Sequence, residues 1–376
     1  MPRLREPREG QPLTVRTLKV QYSFWPARKT TRWKLQRRLY VREPWAMLNE
    51  AVYRTKTGSA SRAVRDDALS YLEQAEEYFN AGMKVERSVK PVLLYYSILN
   101  LAKCLVRIRC PALDLTLARH GLAAKPTGQR AILGDEISIK TSPRFVNIFE
   151  ELLHVLEGSN APAIGTLQVR HLLPQILPGH RLWTYACQKV EKFLAISDVE
   201  CRVNVDAKSV WLRLMFDHGE LAYSVSTVRE LIKRSRLPGE WDQVAAPDTD
   251  KPCVLLEQRN PVTYDHRPID CLQALFQELR PALWCTVTST PPHRQYYLFT
   301  ASGQGFKRLP QWASMYVLFF YLSDLTRYRP SHFDRFVGSK YGPQIETILD
   351  ECPRQFLYLM ASELLEREVA PAAIIS

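Results

Sequence analysis

The chain has 376 residues, 46% apolar and 24% charged, which is the composition of a chain that buries a core and excludes a disordered or low-complexity protein. Its eight cysteines are scattered, with no CxxC and no Cys–His pair at zinc spacing, which excludes a disulfide framework and the common structural zinc sites. The net charge of +12 is unevenly placed: residues 1–54 hold thirteen Lys or Arg against four Glu, a net +9.

Residues 1–12 combine charges with prolines and lack the apolar run of a signal peptide. The longest apolar runs, 91–102 and 312–322, fall short of the ~20 residues that cross a bilayer. The expectation is a cytoplasmic protein with no membrane association and no cofactor. A basic arm over 1–30 opens the chain. Arg28, Lys29, Arg32, Lys34, Arg37 and Arg38 alternate with Trp25, Trp33, Tyr40 and Trp45, a pattern suited to nucleic acid or an acidic protein partner, because cations neutralise phosphates and rings offer stacking faces. The other reading is a solvated arm whose aromatics dock on the rest of the chain.

Helical period follows over 31–128. Val64, Ala68, Tyr71, Leu72, Ala75, Tyr78 and Phe79 make one face of a helix over 62–82. The next helix, 88–109, is apolar on nearly every side and belongs at the centre of a bundle. Its polar residues Ser97, Asn100, Lys103 and Arg107 recur at three or four and form one stripe. Over 129–305 the pattern predicts an α/β region with antiparallel strands: a strand at 131–140, a helix at 144–157 and helical turns over 167–188. A hairpin follows at 199–217, then strands at 252–258, 283–289 and 294–300 around a helix at 268–280. Residues 306–376 predict a second helical bundle, with helices at 309–326, 331–336, 343–350 and 353–368. The fold class is α+β, mostly α: helical bundles at both ends of a central antiparallel sheet.

The run from Pro91 through Tyr95, Tyr96, Ser97 and Asn100 to Lys103, followed by His120-Gly121-Leu122, resembles the YaaC-like family of bacterial proteins. Gly134-Asp135-Glu136-Ile137, a Leu-Leu-Pro…Tyr block within 167–185 and the corner Arg327-Tyr328-Arg329-Pro330 extend the resemblance over about 30–368. The same Tyr-Tyr helix with its following His-Gly is similar to the core of HEPN-type bundles. That resemblance implies an N-terminal HEPN-like bundle, relatives that act as ribonucleases or toxins in antiviral defence, and pairing as a homodimer.

HEPN ribonucleases carry an Arg-x(4–6)-His signature, and three pairs have that spacing: Arg213/His218, Arg259/His266 and Arg327/His332. About two such pairs arise by chance in a chain this rich in Arg. Arg213 lies in a predicted strand and Pro261 separates the second pair, so Arg327 and His332 remain as the catalytic candidates. The α-helical stripe gives a second candidate, a pocket of Tyr96, Asn100, Lys103 and His120, because polar groups on an apolar helix need partners or a cleft. The structural alternative pairs Asn100 and Lys103 with Asp135 or Glu136. No metal-binding cluster is expected. Two functions follow: a non-catalytic accessory or scaffold protein that binds nucleic acid or an acidic partner through the basic region, or a HEPN-like ribonuclease.

Overall fold

A twenty-residue segment that is apolar all round has to be surrounded, and the chain is organised around that demand. The computed structural model describes residues 4–15, 17–25, 38–55, 61–128, 132–140, 142, 144–158, 161–217, 219, 228–246, 252–300 and 306–372. In chain order the helices are α1 (Trp45–Arg54), α2 (Ser61–Gly82), α3 (Lys90–Arg109), α4 (Ile148–Glu157), α5 (Val169–Leu172) and α6 (His180–Cys187). They continue with α7 (Val228–Ser235), α8 (Leu272–Leu279), α9 (Gln311–Tyr328), α10 (Pro330–Val337) and α11 (Gly342–Leu365). Two units interleave in sequence: residues 41–189 with 305–369, and residues 1–40 with 190–304 and 370–376.

The first unit is mostly helical, with short strands at Ala118–Arg119, Leu122–Lys125, Glu136–Ile139, Val146–Asn147 and Leu167–Gln168. α3 packs against α2, α4, α9 and α11, and Leu94, Tyr95, Ile98, Leu101, Leu105 and Val106 are among its buried residues. By length and composition α3 is apolar enough to cross a membrane, and 67% of that stretch is buried inside the protein. The helices that surround it come from both ends of the unit, so those read as two bundles share one core. α1 was not legible in the sequence. Trp45, Leu48 and Val52 line its buried side, and Trp45 packs edge-on to Phe79 at 5.6 Å, which makes this ring core. α11 runs unbroken where two helices are predicted, with Pro353 inside it. A proline removes one helical hydrogen bond and crowds the preceding turn. Here Ile345, Ile348, Leu349, Phe356, Leu357 and Met360, buried on both sides of it, keep the rod continuous, since packing outweighs local propensity.

The second unit holds two larger antiparallel sheets and the short pair Thr14–Val15 with Leu18–Lys19. One runs in the order Gln11–Pro12, Asp198–Asn204, Ser209–Asp217, Cys253–Gln258, Trp241–Val244, with Val262–Thr263 also pairing onto Ser209–Asp217. The other orders Phe193–Ile196, Arg294–Phe299 and Leu283–Val287. The predicted hairpin forms, with Asn204 opposite Ser209. Asp198–Asn204 alternates in burial, but Ser209–Asp217 is buried on both faces. The cover is the N-terminal segment. Arg8 donates its backbone N–H to Glu257 and lies 5.2 Å from the Trp211 ring, and Arg213 donates to Arg8 O at 2.8 Å. Glu257, buried, accepts from Trp211 Nε1 at 3.0 Å and pairs with Arg213 at 2.7 Å. The opening segment is thus woven into the sheet, and Arg5, Arg8 and Lys19 are internal partners: Arg5 reaches Asp242 at 3.2 Å and Lys19 reaches Asp198 at 2.6 Å.

Within the helical unit one buried carboxylate holds distant segments together. Asp135, 1% exposed, accepts from Thr127 N at 3.1 Å, from the Tyr321 hydroxyl at 2.9 Å and from Arg329 Nη1 at 2.9 Å. Arg329 pairs through its other terminal nitrogen with Asp324 at 3.1 Å. Asp135 therefore meets the end of α9, and the pairing with Asn100 or Lys103 weighed above does not form. Breaking a buried ion pair strands the remaining charge. Asp135→Ala is expected to lower stability by about 3 kcal/mol, read from urea unfolding midpoints. Removing Arg329 as well should recover part of that loss, and additive losses would show that the two are not coupled.

Candidate functional site

The polar stripe of α3 faces α2, not water and not a strand. Residues on α2 descend by threes and fours as their partners on α3 ascend, as two antiparallel helices require. Arg107 pairs with Asp67 at 3.0 Å, and the Lys103 ammonium lies 5.3 Å from the Tyr71 ring. Asn100 Nδ2 donates to Gln74 at 3.3 Å, and the Ser97 hydroxyl donates to Ala75 O at 2.7 Å. Tyr96 stacks on Tyr78 at 5.5 Å with the planes 29° apart. Burial lowers the pKa of Lys103, and the aromatic face is its neighbour in place of a carboxylate. Asn100 and Lys103 are therefore seam residues.

The seam ends where the chemistry changes. Arg327, in the last turn of α9, lies over both the Tyr96 ring (6.0 Å) and the Tyr328 ring (4.9 Å). Its Nε donates to Ser323 O at 3.3 Å and its Nη1 to the Tyr96 hydroxyl at 3.5 Å. A guanidinium has five N–H groups, and those of Arg327 not used in these two bonds have no partner among the described residues. No carboxylate pairs with it among the described residues.

His120 completes the cluster from the loop after α3. Its ring packs 5.1 Å from Phe320 and 6.4 Å from Tyr95, and its carbonyl accepts from the Tyr316 hydroxyl at 3.5 Å. Gly121 lets the loop turn here. It has φ +81°, and a Cβ would sit 1.6 Å from Asn147 Oδ1, where Asn147 caps α4 by accepting from Glu150 N and donates to Gly121 O. Leu122 N donates to His120 Nδ1 at 3.2 Å. A neutral imidazole that accepts at Nδ1 carries its proton on Nε2. Burial first, then the charges of Arg327, Lys140 and Arg119, lower the His120 pKa to about 4. The imidazole is neutral at physiological pH and presents a donor. Behind it the Tyr95 hydroxyl is buried without a hydrogen-bond partner; the neighbouring Tyr316 hydroxyl perturbs it, but the pair does not have hydrogen-bond geometry.

The structure thus joins Arg327 to Tyr96 and His120, residues drawn from two separate candidate groups. His332 lies in the first turn of α10, and its backbone N–H goes to Arg329 O at 2.9 Å. No hydrogen bond or ring contact joins it to Arg327. Arg213 is taken up by Glu257, and His218 lies outside the described residues. Arg259 is held by Asp242 and Glu240 at 2.6 and 2.9 Å, with no contact to His266. Of the basic-arm candidates, Arg28, Lys29, Arg32, Lys34 and Arg37 lie outside the described residues, as does Trp33. Arg38 donates to Gln21 at 3.5 Å. Tyr78, Tyr328, Arg119 and Lys140 were not singled out from sequence. Tyr78 was legible in the period of α2. Lys140 was not, because only the pairing of Leu122 with Ile139 brings it beside Gly121.

The charge around His120 makes a titration prediction. Its pKa is depressed in the fold relative to the unfolded chain, so the unfolded chain binds more protons as pH falls from 6.5 toward 4, and stability is lost over that window. His120→Gln is expected to lose less stability than the parent between those pH values. In NMR titrations Arg327→Ala should move the His120 midpoint upward from about 4. A native His120 that titrates near 6.5 would contradict the geometry.

No curated protein and no solved structure matches the chain. The family described as YaaC-like Protein matches residues 23–364, a span that takes in α3, the His120-Gly121 turn and the Arg327–Pro330 corner; the chain belongs to the YaaC-like protein family.

Proposed function

We propose that the protein is a non-catalytic accessory or scaffold protein that binds nucleic acid through cationic groups, Arg327 with His120 in the helical unit and the basic N-terminal region in the other. The observation that carries this reading is the half-buried Arg327 guanidinium, which has ring faces and donors around it but no carboxylate. Such a cation is complete only with an anion from outside, and phosphate oxygens accept from a guanidinium edge. Of the arm's charge, Arg5, Arg8 and Lys19 are engaged internally. The basic run Arg28, Lys29, Arg32, Lys34 and Arg37 supplies the sequence-based share of the proposal.

A HEPN-like character for the helical unit belongs to the same proposal. A Tyr95-Tyr96 helix buried among helices, with His120 packed against it, supports it. The ribonuclease alternative needs a base that gains and loses a proton near neutral pH. His120 is a poor one, with Nδ1 engaged by Leu122 N and its protonation opposed by three cations. His332 is the remaining candidate for that role.

The test is binding of labelled DNA and RNA across a salt series. Affinity is expected to fall steeply with salt, each phosphate contact contributing about one unit of log–log slope. Arg327→Ala should reduce that slope by about one. Changing Arg28, Lys29, Arg32, Lys34 and Arg37 to Gln should reduce it by about four or five. Lys103→Met, in the seam, should leave it unchanged. No binding at about 50 mM salt, or binding indifferent to salt, would end the proposal. RNA incubated with the parent, Arg327→Ala and His332→Ala should stay intact in all three; cleavage by the parent that His332→Ala abolishes would establish the ribonuclease instead.

A further inference from the structure

Resting on the nucleic-acid reading above, we infer that the Tyr96–Arg327–Tyr328 cluster selects single-stranded nucleic acid, taking one backbone phosphate on the edge of Arg327 and an unpaired base on the face of Tyr328. Three features of the cluster point this way, and none of them is explained by packing.

The first is the orientation of Arg327. Its Cζ lies over the Tyr96 and Tyr328 rings at 6.0 and 4.9 Å while only Nε and one Nη1–H are used in hydrogen bonds among the described residues, and the remaining N–H groups on its edge match two oxygens of a phosphate. The second is Tyr328, 69% exposed at the end of α9. The body of α9 is buried, including Tyr316 and Tyr321, so an aromatic side chain at its tip adds nothing to the core and offers a free face beside a cation. The third is the surplus of positive charge and of N–H donors. His120 keeps its proton on Nε2, Arg327 has donors alone, and Lys140 and Arg119 add positive charge. A group rich in oxygen acceptors answers all of these.

A phosphate alone would satisfy the donors but leave the rings without purpose. A duplex presents its phosphates with the bases stacked inside, out of reach of a surface tyrosine. Only a strand with a base turned outward presents both to one site, and base–aromatic stacking is indifferent to sequence. The Tyr78–Tyr96 stack backs the cluster with a fixed ring instead of a mobile one.

Fluorescence anisotropy with a short single-stranded oligonucleotide and with its annealed duplex separates the readings. The single strand is expected to bind about tenfold more tightly. Tyr328→Ala should weaken single-strand binding roughly 5- to 100-fold, the range that one stacked base contributes, and leave the duplex unchanged, while Tyr328→Phe keeps the preference. Because Tyr328 is exposed, neither change touches the core. Equal affinity for both forms, with Tyr328→Ala silent, would overturn this inference and leave the salt-dependent nucleic-acid reading in place. Binding to neither form would remove both. Heparin that displaces the single strand as readily from the parent as from Tyr328→Ala would also overturn it, by showing a site for charge without stacking.

Discussion

A helix with no wet side cannot stand at a surface, and α3 imposes that condition on everything folded around it. Its neighbours have to come from wherever the chain can supply apolar faces, and they come from both ends of the helical unit: α2 and α4 from before the sheets, α9 and α11 from after them. The polar residues it does carry become the means of registering one neighbour. Arg107, Lys103, Asn100 and Ser97 meet Asp67, Tyr71, Gln74 and Ala75 in order, so a slip of α2 along α3 would break every contact at once. Buried polar groups used this way contribute specificity of packing more than net stability.

The same constraint creates the candidate site. Where α3 and α9 lie side by side, the last turn of α9 projects past the dry region, and the cation at position 327 finds rings instead of an acid. Two residues further along the chain, Arg329 finds the opposite environment, the carboxylates of Asp135 and Asp324. The two arginines of one corner thus divide the work. Arg329 closes the fold on Asp135, and with the local carboxylates committed to Arg329, Arg327 is left electrically open.

How much of this was legible follows from the range of the contacts involved. The long helices were legible because their period is local: 62–82 and 88–109 appear almost as read. So was the hairpin, set by alternation and a turn at Ala207-Lys208. The Arg327–Pro330 corner was visible as a helix end, but weight fell on Arg327 and Pro330, while Arg329, the buried anchor, looks in sequence like any other arginine. Asp135 was weighed, with Glu136, as a partner for Asn100 and Lys103, and it meets Arg329 instead, because nothing in sequence tells which of several polar groups approaches a given acid. The N-terminal segment carried the plainest signal, its charge, yet part of that charge proved to be internal: Arg5 and Lys19 sit on acids of the sheet, and the Arg8 guanidinium donates to Gln258 O and Arg259 O. Net charge speaks to association, but only the fold says which charges are already paired. The meeting of Arg327 with His120 and Tyr96 needed two long-range packings and was beyond any spacing rule, since motif arithmetic looked for its histidine five residues away.

The distinction between binding and catalysis turns here on protons. An acid–base site needs a group that changes protonation state near the working pH and has an open nitrogen or oxygen with which to do so. At this cluster every choice goes the other way. A backbone N–H takes up Nδ1 of His120, burial and three cations keep the ring neutral, and the remaining nitrogen is a donor. The tyrosines Tyr95 and Tyr316 are pushed further into their protonated forms by burial. A cluster in which a guanidinium and a neutral imidazole N–H supply donors beside tyrosine rings has the chemistry to recognise an anion and orient it.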